Sequence, residues 1–289
     1  MRYGDRGPQV KDIQQRLLSA GYPLPKYGAD GVLGTETWNA LQQYAKDSSL
    51  LWAPEVPPAV VEALMLDPVK VVDLTGKQTN PPADSSKFKL DAKGKVVVRD
   101  PKTVNGIMLH QTGVWYGVSA QQISAAGGDK HAALHNRSLG VACHLIAFDG
   151  QGASIECGHA VQPNPLPWYV YQANTANSES LGLEIEGVYP GLVSMGGQEP
   201  SERVINAARD AVRCMVEQGR AQGMPIRYVW AHRQSSATRR SDPGEAIWKK
   251  VALAYAVPVL GLETQPARTW GDGKPIPVEW QPNGGVGPY

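Results

Sequence analysis

Two stretches within residues 1–48 carry apolar side chains at helical spacing. The first contains Val10, Ile13, Leu17 and Leu18, and the second contains Trp38, Leu41 and Tyr44. Gly21 and Pro23 end the first predicted helix, and Thr35 can cap the second. A turn-rich segment, 26–31, lies between them. The pattern therefore predicts a small helical module at residues 1–48.

Residues 49–95 contain many prolines, which interrupt regular structure. A short helix is expected at 60–66, and segment 79–86 has the composition of a loop. We expect this stretch to be a linker that packs partly on the domain that follows.

Predicted strands and helices alternate across residues 96–262. Strands are expected at 106–110, 142–148, 181–186 and 226–231, and helices at 204–219 and 245–255. This order predicts an α/β fold (α+β mixed), with a central mixed β-sheet flanked by helices. Residues 263–289 are rich in Gly and Pro and are expected to wrap the surface as a tail.

Composition argues against several classes of function. Lys and Arg number 28 and Asp and Glu 27, so a net charge of +1 gives no support to nucleic-acid binding. The strongest candidate for a membrane span is the apolar run 251–262. It is shorter than the roughly 20 residues that span a membrane, so no membrane insertion is expected. Only three cysteines are present, none in a CxxC pair, which excludes a disulfide scaffold and a thiolate zinc finger.

Three residues have the chemistry of metal ligands. His110 and His232 each follow an apolar strand directly, and Asp242 stands before Pro243 and Gly244. Two histidines and a carboxylate form a known catalytic zinc set that leaves the fourth position to water. Spacing alone also allows the alternative that the histidines are partly buried strand-end residues and that Asp242 caps a helix.

Four short motifs follow one another along the chain. They are His110-Gln-Thr, Ala142-Cys-His144 with Asp149-Gly150, Leu181-Gly-Leu-Glu184-Ile-Glu-Gly187, and His232 with Asp242-Pro-Gly. As an ordered set they resemble the type-2 zinc-dependent N-acetylmuramoyl-L-alanine amidases, a family that includes the peptidoglycan recognition proteins. The resemblance covers about residues 100–256.

The resemblance implies roles for individual residues. His110, His232 and Asp242 fall on the zinc (Zn2+) ligands, with Asp rather than Cys at the third position. Glu184 falls on the general base, although Glu186 on the same strand face is its rival. Arg240 stands where the family usually has Lys or Thr; it would stabilise an oxyanion but does not readily lose a proton.

Two neighbouring positions have weaker assignments. His144 falls on a strand histidine that faces the cleft in related enzymes, so it is a candidate substrate-binding residue. A hydrogen-bonded core histidine is an equal alternative. Cys143 beside it is expected to be a small buried side chain rather than a nucleophile.

The N-terminal module resembles the three-helix peptidoglycan-binding module of cell-wall hydrolases. The matching positions are Gly4, Gly7, Val10, Gln14, Leu17, Gly21, Asp30-Gly31-Val-Leu-Gly34, Thr37 and Ala40. The alternative for these residues is a generic helical mini-domain.

The combined resemblance implies a hydrolase that cleaves the amide between N-acetylmuramic acid and L-alanine with zinc-activated water. Bacterial peptidoglycan is the expected partner, and a monomer is favoured. The alternatives are a non-catalytic peptidoglycan receptor on the same fold and a zinc endopeptidase that cuts within the stem peptide.

No secretory signal is present at the N-terminus of the sequence as given. The arrangement resembles a modular phage endolysin, which would stay in the host cytoplasm until lysis and act at the periplasmic wall. A bacterial autolysin, secreted if a signal was removed, is the other expectation.

Overall fold

The computed structural model describes residues 1–19, 22–47, 50–66, 71–149, 159–190 and 199–281. The chain forms two units, Met1–Val69 and Lys70–Tyr289. Within the described ranges, no helix is both long enough and apolar enough to cross a membrane.

The first unit contains three helices: α1 (Pro8–Ser19), α2 (Thr35–Asp47) and α3 (Pro58–Leu66). Val60 and Leu64 of α3 are fully buried, because this helix completes the core that α1 and α2 begin. The predicted module of residues 1–48 is shorter than this unit, which continues to Val69 and includes the helix predicted within the linker. Gly21, expected to end α1, lies outside the described residues.

A buried glutamine organises the turn between α1 and α2. The Gln14 amide nitrogen donates to Asp30 Oδ1 at 2.8 Å and to Thr37 Oγ1 at 2.8 Å. Its amide oxygen accepts from the Gly31 backbone N–H at 2.7 Å. Gly31 has a φ of +78°, a conformation that favours glycine. These motif residues therefore have a structural role in fixing the loop.

A seven-stranded mixed sheet forms the centre of the second unit. Its strands are β1 (Val71–Asp73), β2 (Gly106–Gln111), β3 (Leu145–Ala147), β4 (Ala160–Gln162), β5 (Ser180–Ile185), β6 (Tyr228–Ala231) and β7 (Glu263–Thr264). The spatial order is β1-β4-β3-β5-β2-β6-β7, and every neighbouring pair is parallel except β3 with β4. The predicted α/β fold with a central mixed sheet is confirmed.

The described part of the second unit also contains helices. They are α4 (Ala120–Ala125), α5 (Lys130–Ser138), α6 (Glu202–Ala221) and α7 (Glu245–Ile247), which continues as π-helical turns through Trp248–Ala256. Helix α6 packs its apolar side on β3, β4 and β5. Ser201 caps α6 by accepting from the Val204 N–H.

Two stretches without strong periodicity join the second unit. Part of the predicted linker supplies strand β1 and an isolated bridge between Phe88 and Val170. The predicted surface tail supplies strand β7, and Trp280 within it is fully buried. Most of residues 263–281 are exposed or half-buried, and Ile276 and Trp280 anchor this segment to the second unit. Residues 282–289 lie outside the described part of the chain.

Candidate metal centre

The central strands of the sheet bring two histidines together. Leu109 of β2 pairs with Ala231 of β6 in a parallel register, and His110 and His232 are the next residues along each strand. Their ring centroids are 4.3 Å apart, and both side chains are buried. Because β2 and β6 are adjacent and parallel, the predicted histidine pair lies where the carboxyl ends of these two strands meet.

A short turn returns Asp242 to the same point. Asp242 Oδ2 lies 3.0 Å from His232 Nδ1, and Oδ1 accepts from the Gln111 backbone N–H at 2.8 Å. The Asp242 carbonyl also accepts from the Arg233 N–H at 3.1 Å. These bonds fix the carboxylate beside both histidines, although 131 residues separate Gln111 from it.

The donor set fits a zinc ion. One ligand atom from each of His110, His232 and Asp242 lies within 4.8 Å of the others. Burial, followed by the charge of His232, holds the pKa of His110 well below its usual value, so its ring is neutral. A neutral imidazole is the form that binds a metal, and two imidazoles with one carboxylate suit tetrahedral zinc.

The Gln172 side chain fixes the orientation of the His110 ring. The Gln172 amide oxygen lies 2.5 Å from His110 Nε2, and its amide nitrogen donates to Ser180 Oγ at 2.7 Å. His110 Nε2 is therefore the donor, which leaves the lone pair on Nδ1. A Cβ on Gly182 would lie 2.8 Å from the Gln172 side chain, so this glycine makes room for the contact. No sequence motif contains Gln172, so this contact could not be predicted.

Glu184 lies on β5, opposite His110 in the β2–β5 register. Its Oε2 atom is shielded from solvent and has no hydrogen-bond partner among the described residues. Burial, followed by the negative charge of Asp242, raises the pKa of Glu184 to about 8, against a weaker opposing effect of Arg239. A shielded carboxyl with a raised pKa close to a metal site is suited to proton transfer.

Glu186, the rival carboxylate, is engaged by the backbone. Its two oxygens accept from the N–H groups of Tyr116 at 2.6 Å and Asp149 at 2.8 Å. The side chain is buried, and these bonds tie segments on either side of β5 together. Glu186 therefore has a structural role in holding these segments, whereas Glu184 lies beside the candidate ligands.

Two neighbouring arginines are exposed at the mouth of the site. Arg239 and Arg240 line a cleft of about 280 Å³ together with Gln111, Gly113, Thr238, Ser241 and Asp242. The charge of Arg239 acts on Glu184 and His110, whose pKa values it lowers after the larger effect of burial. The charge of Arg240 instead acts on Arg233, whose pKa burial lowers first. Arg239, which was not among the predicted site residues, thus has the stronger electrostatic effect on the candidate centre.

The structure places His144 within the core. The Gly182 N–H donates to His144 Nδ1 at 2.9 Å, and Nε2 lies 3.1 Å from the Trp168 carbonyl oxygen. Arg99, also buried, has its Nη2 atom 3.0 Å from the same Nε2. These contacts match the alternative of a hydrogen-bonded core histidine, and His144 is fully buried.

Cys143, which precedes His144, has no catalytic geometry. Cys143 is fully buried, and burial raises the pKa of its thiol well above the usual value. A protonated, buried thiol is a poor nucleophile, in agreement with the expected small buried side chain. Cys157 lies outside the described residues.

The fold and the site together define a class: an α/β domain with a buried His-His-Asp set at the end of its central strands. The family model for N-acetylmuramoyl-L-alanine amidase matches residues 100–245, which include all three candidate ligands and Glu184. The chain belongs to this family.

Similar proteins carry related names. The N-acetylmuramoyl-L-alanine amidase CwlL of Bacillus licheniformis is 36% identical over 92 residues, or 31% of this chain. The match spans about a quarter of that protein (26%).

Solved structures that are similar include the endolysin N-acetylmuramoyl-L-alanine amidase LysCS from Clostridium intestinale, with 13% identity and a TM-score of 0.40. That match covers 67% of this chain and 97% of the other. The Drosophila peptidoglycan recognition protein SD has 16% identity and a TM-score of 0.38, with 70% and 97% of the two chains covered.

Proposed function

We propose that this chain hydrolyses the amide between N-acetylmuramic acid and L-alanine in bacterial peptidoglycan. The observation that supports this most is the convergence of His110, His232 and Asp242 beside Glu184 on the neighbouring strand. A peptidoglycan receptor needs no such convergence of metal ligands with a carboxyl of raised pKa.

His110, His232 and Asp242 would hold the zinc ion. When bound, zinc supplies Lewis acidity, which lowers the pKa of water and polarises a carbonyl. Glu184 accepts a proton from the attacking water and returns it to the leaving amine of L-alanine. Gln172 and the Gln111 N–H keep His110 and Asp242 in place, so the ligands need little rearrangement.

The first unit is proposed to hold the enzyme on the wall. Its cleft of about 310 Å³ is lined by Arg6, Tyr27, Asp30, Val32, Gly34, Glu36 and Thr37. Polar groups that surround an exposed tyrosine suit a saccharide or peptide of the wall. Tethering through this unit would raise the local concentration of substrate for the second unit. We propose that the whole chain serves to lyse a host bacterium.

Mass spectrometry of purified peptidoglycan after digestion tests the activity. We expect free stem peptides that begin at L-alanine, without new reducing sugar ends. Wall binding is measured by co-sedimentation of the Glu184→Gln variant, which does not digest the wall. We expect this variant to pellet with the peptidoglycan. Cleavage within the stem peptide would move the scissile bond and favour the endopeptidase. Wall binding without any cleavage by the zinc-loaded wild type would favour the receptor.

The two arginines at the cleft provide a matched pair of variants. Arg239→Ala is expected to lower kcat/KM by about 10- to 100-fold, because a cation near the reacting carbonyl stabilises the oxyanion. Arg240→Ala is expected to change kcat/KM by less than about 3-fold, since its charge acts towards Arg233. Steady-state kinetics on a soluble muropeptide measure both. A larger fall in kcat/KM for Arg240→Ala than for Arg239→Ala would assign oxyanion stabilisation to Arg240.

A further inference from the structure

Three histidines gather at a second place in the second unit. His131 and His135 lie one turn apart on α5, and His159 directly precedes β4. His135 and His159 are partly buried, and His131 is exposed. The proposed amidase reaction uses none of them.

One distance within this histidine cluster, between His135 and His159, matches the spacing of metal ligands. His135 Nε2 and His159 Nε2 are 3.3 Å apart. In a tetrahedral zinc site with zinc–nitrogen distances of about 2.0–2.1 Å, two ligand nitrogens are about 3.3 Å apart. The ring centroids of His131 and His159 are 6.2 Å apart. Among the described residues, no set of three donor atoms within 4.8 Å of one another includes His131, so its exposed side chain would have to rotate to join the other two. A histidine pair at positions i and i+4 of a helix is also a known way to present two imidazoles to one ion.

The charges around the cluster favour a cation. Burial, followed by the charges of His135 and His131, lowers the pKa of His159 to about 4. Burial, followed by His131 and Lys77, also lowers the pKa of His135. Both rings are therefore neutral near pH 7 and have lone pairs available. Asp129, which caps α5 by accepting from the His131 N–H at 2.8 Å, offers a negative charge against the positive Lys77.

We propose that His131, His135 and His159 bind a second divalent transition metal ion of the zinc type. The ion would join α5 to the start of β4, beside the core cluster that contains Leu134 and Val161. Imidazole ligands suit zinc, nickel and copper. Its role would be structural, since a ligand that binds the folded chain stabilises it.

Zinc stoichiometry tests this site on the full chain. The protein is stripped with a chelator, dialysed against zinc at pH 7.5, washed and analysed by elemental mass spectrometry. We expect about two ions per wild-type chain. His135→Asn with His159→Asn should bind about one, and so should His232→Ala, which removes the other candidate site. Equal zinc binding by the double variant and the wild type would overturn the proposal.

A second variant keeps the test independent of folding defects. His131→Ala changes an exposed residue, and it should lower the affinity for the second zinc ion by about 10-fold or more. In the His232→Ala background, zinc should raise the melting temperature, and adding the two Asn substitutions should remove that rise. An unchanged melting temperature in the His232→Ala background would contradict the site. A negative result for the second metal ion would not affect the test of the proposed amidase activity, because the two sites share no residue.

Discussion

Replacing His232 with alanine is expected to remove zinc binding at the candidate centre and to lower hydrolysis by roughly 10³-fold or more. His232 supplies one of only three ligand side chains, and its Nδ1 lies 3.0 Å from Asp242 Oδ2. Its loss leaves two ligands, and Asp242 then loses a neighbour that holds its carboxylate in place. Kinetics on muropeptides and the zinc content of the protein measure the two effects.

Asp242→Asn separates loss of charge from loss of shape. The asparagine oxygen can still accept from the Gln111 N–H, so the turn should remain folded. We expect a large loss of zinc affinity and activity with a nearly unchanged melting temperature. Asp272→Asn is the matched control, because Asp272 is exposed and lies outside the ligand set; it should keep full activity.

Chelation provides the complementary measurement. Removal of zinc should abolish wild-type activity, and added zinc should restore it, whereas neither treatment should change the inactive His232→Ala variant. Hydrolysis that persists at wild-type rates in the stripped protein would show that the reaction does not depend on the candidate ligands.

The sequence contained enough information to predict the central strands and to propose a ligand set. Strands β2, β5 and β6 are buried on both faces, so they stand out as apolar runs with a chemically distinct residue at or near one end. His110 and His232 stood out in this way, whereas Glu184 and the roles of all three residues came from the family resemblance. Strands β1, β4 and β7 contain only two or three residues each, too few for a period to be recognised.

The remaining features of the site depend on contacts between distant residues. Gln172 reaches His110 only because Gly182 leaves space, and no local pattern indicates this. The choice between Glu184 and Glu186 is similar, since alternation places them on one strand face. What distinguishes them is the Tyr116 and Asp149 N–H groups, which come from outside the strand.

Glu184→Gln is expected to lower kcat by about 10²- to 10⁴-fold while zinc binding and KM stay near their wild-type values. Glutamine keeps the size of the side chain but cannot accept and return a proton at the required step. The variant should therefore separate proton transfer from metal binding. A kcat within about 10-fold of wild type would remove Glu184 from the proposed mechanism.

Glu186→Gln is the informative comparison for this variant. Both Glu186 oxygens accept from backbone N–H groups, and an amide would present a donor to one of them. We expect a lower melting temperature and a kcat within a few-fold of wild type. A large fall in kcat with unchanged stability would exchange the assignments of the two glutamates.

Thermal unfolding of the metal-free protein gives a readout of Glu184 that does not depend on activity. Burial, followed by the charge of Asp242, raises the pKa of Glu184 from 4.5 to about 8 in the folded chain. Between these pH values the folded state binds more protons than the unfolded state, so its stability falls as the pH rises. Glu184→Gln should remove this slope, and at pH 8 the metal-free variant should exceed the metal-free wild type by at least ~1 kcal/mol. At pH 4, where the wild-type carboxyl is mostly protonated in both states, the two proteins should differ little. Equal stability at both pH values would mean that Glu184 is solvated like a surface carboxylate, which would leave the proposed proton transfer without its physical basis.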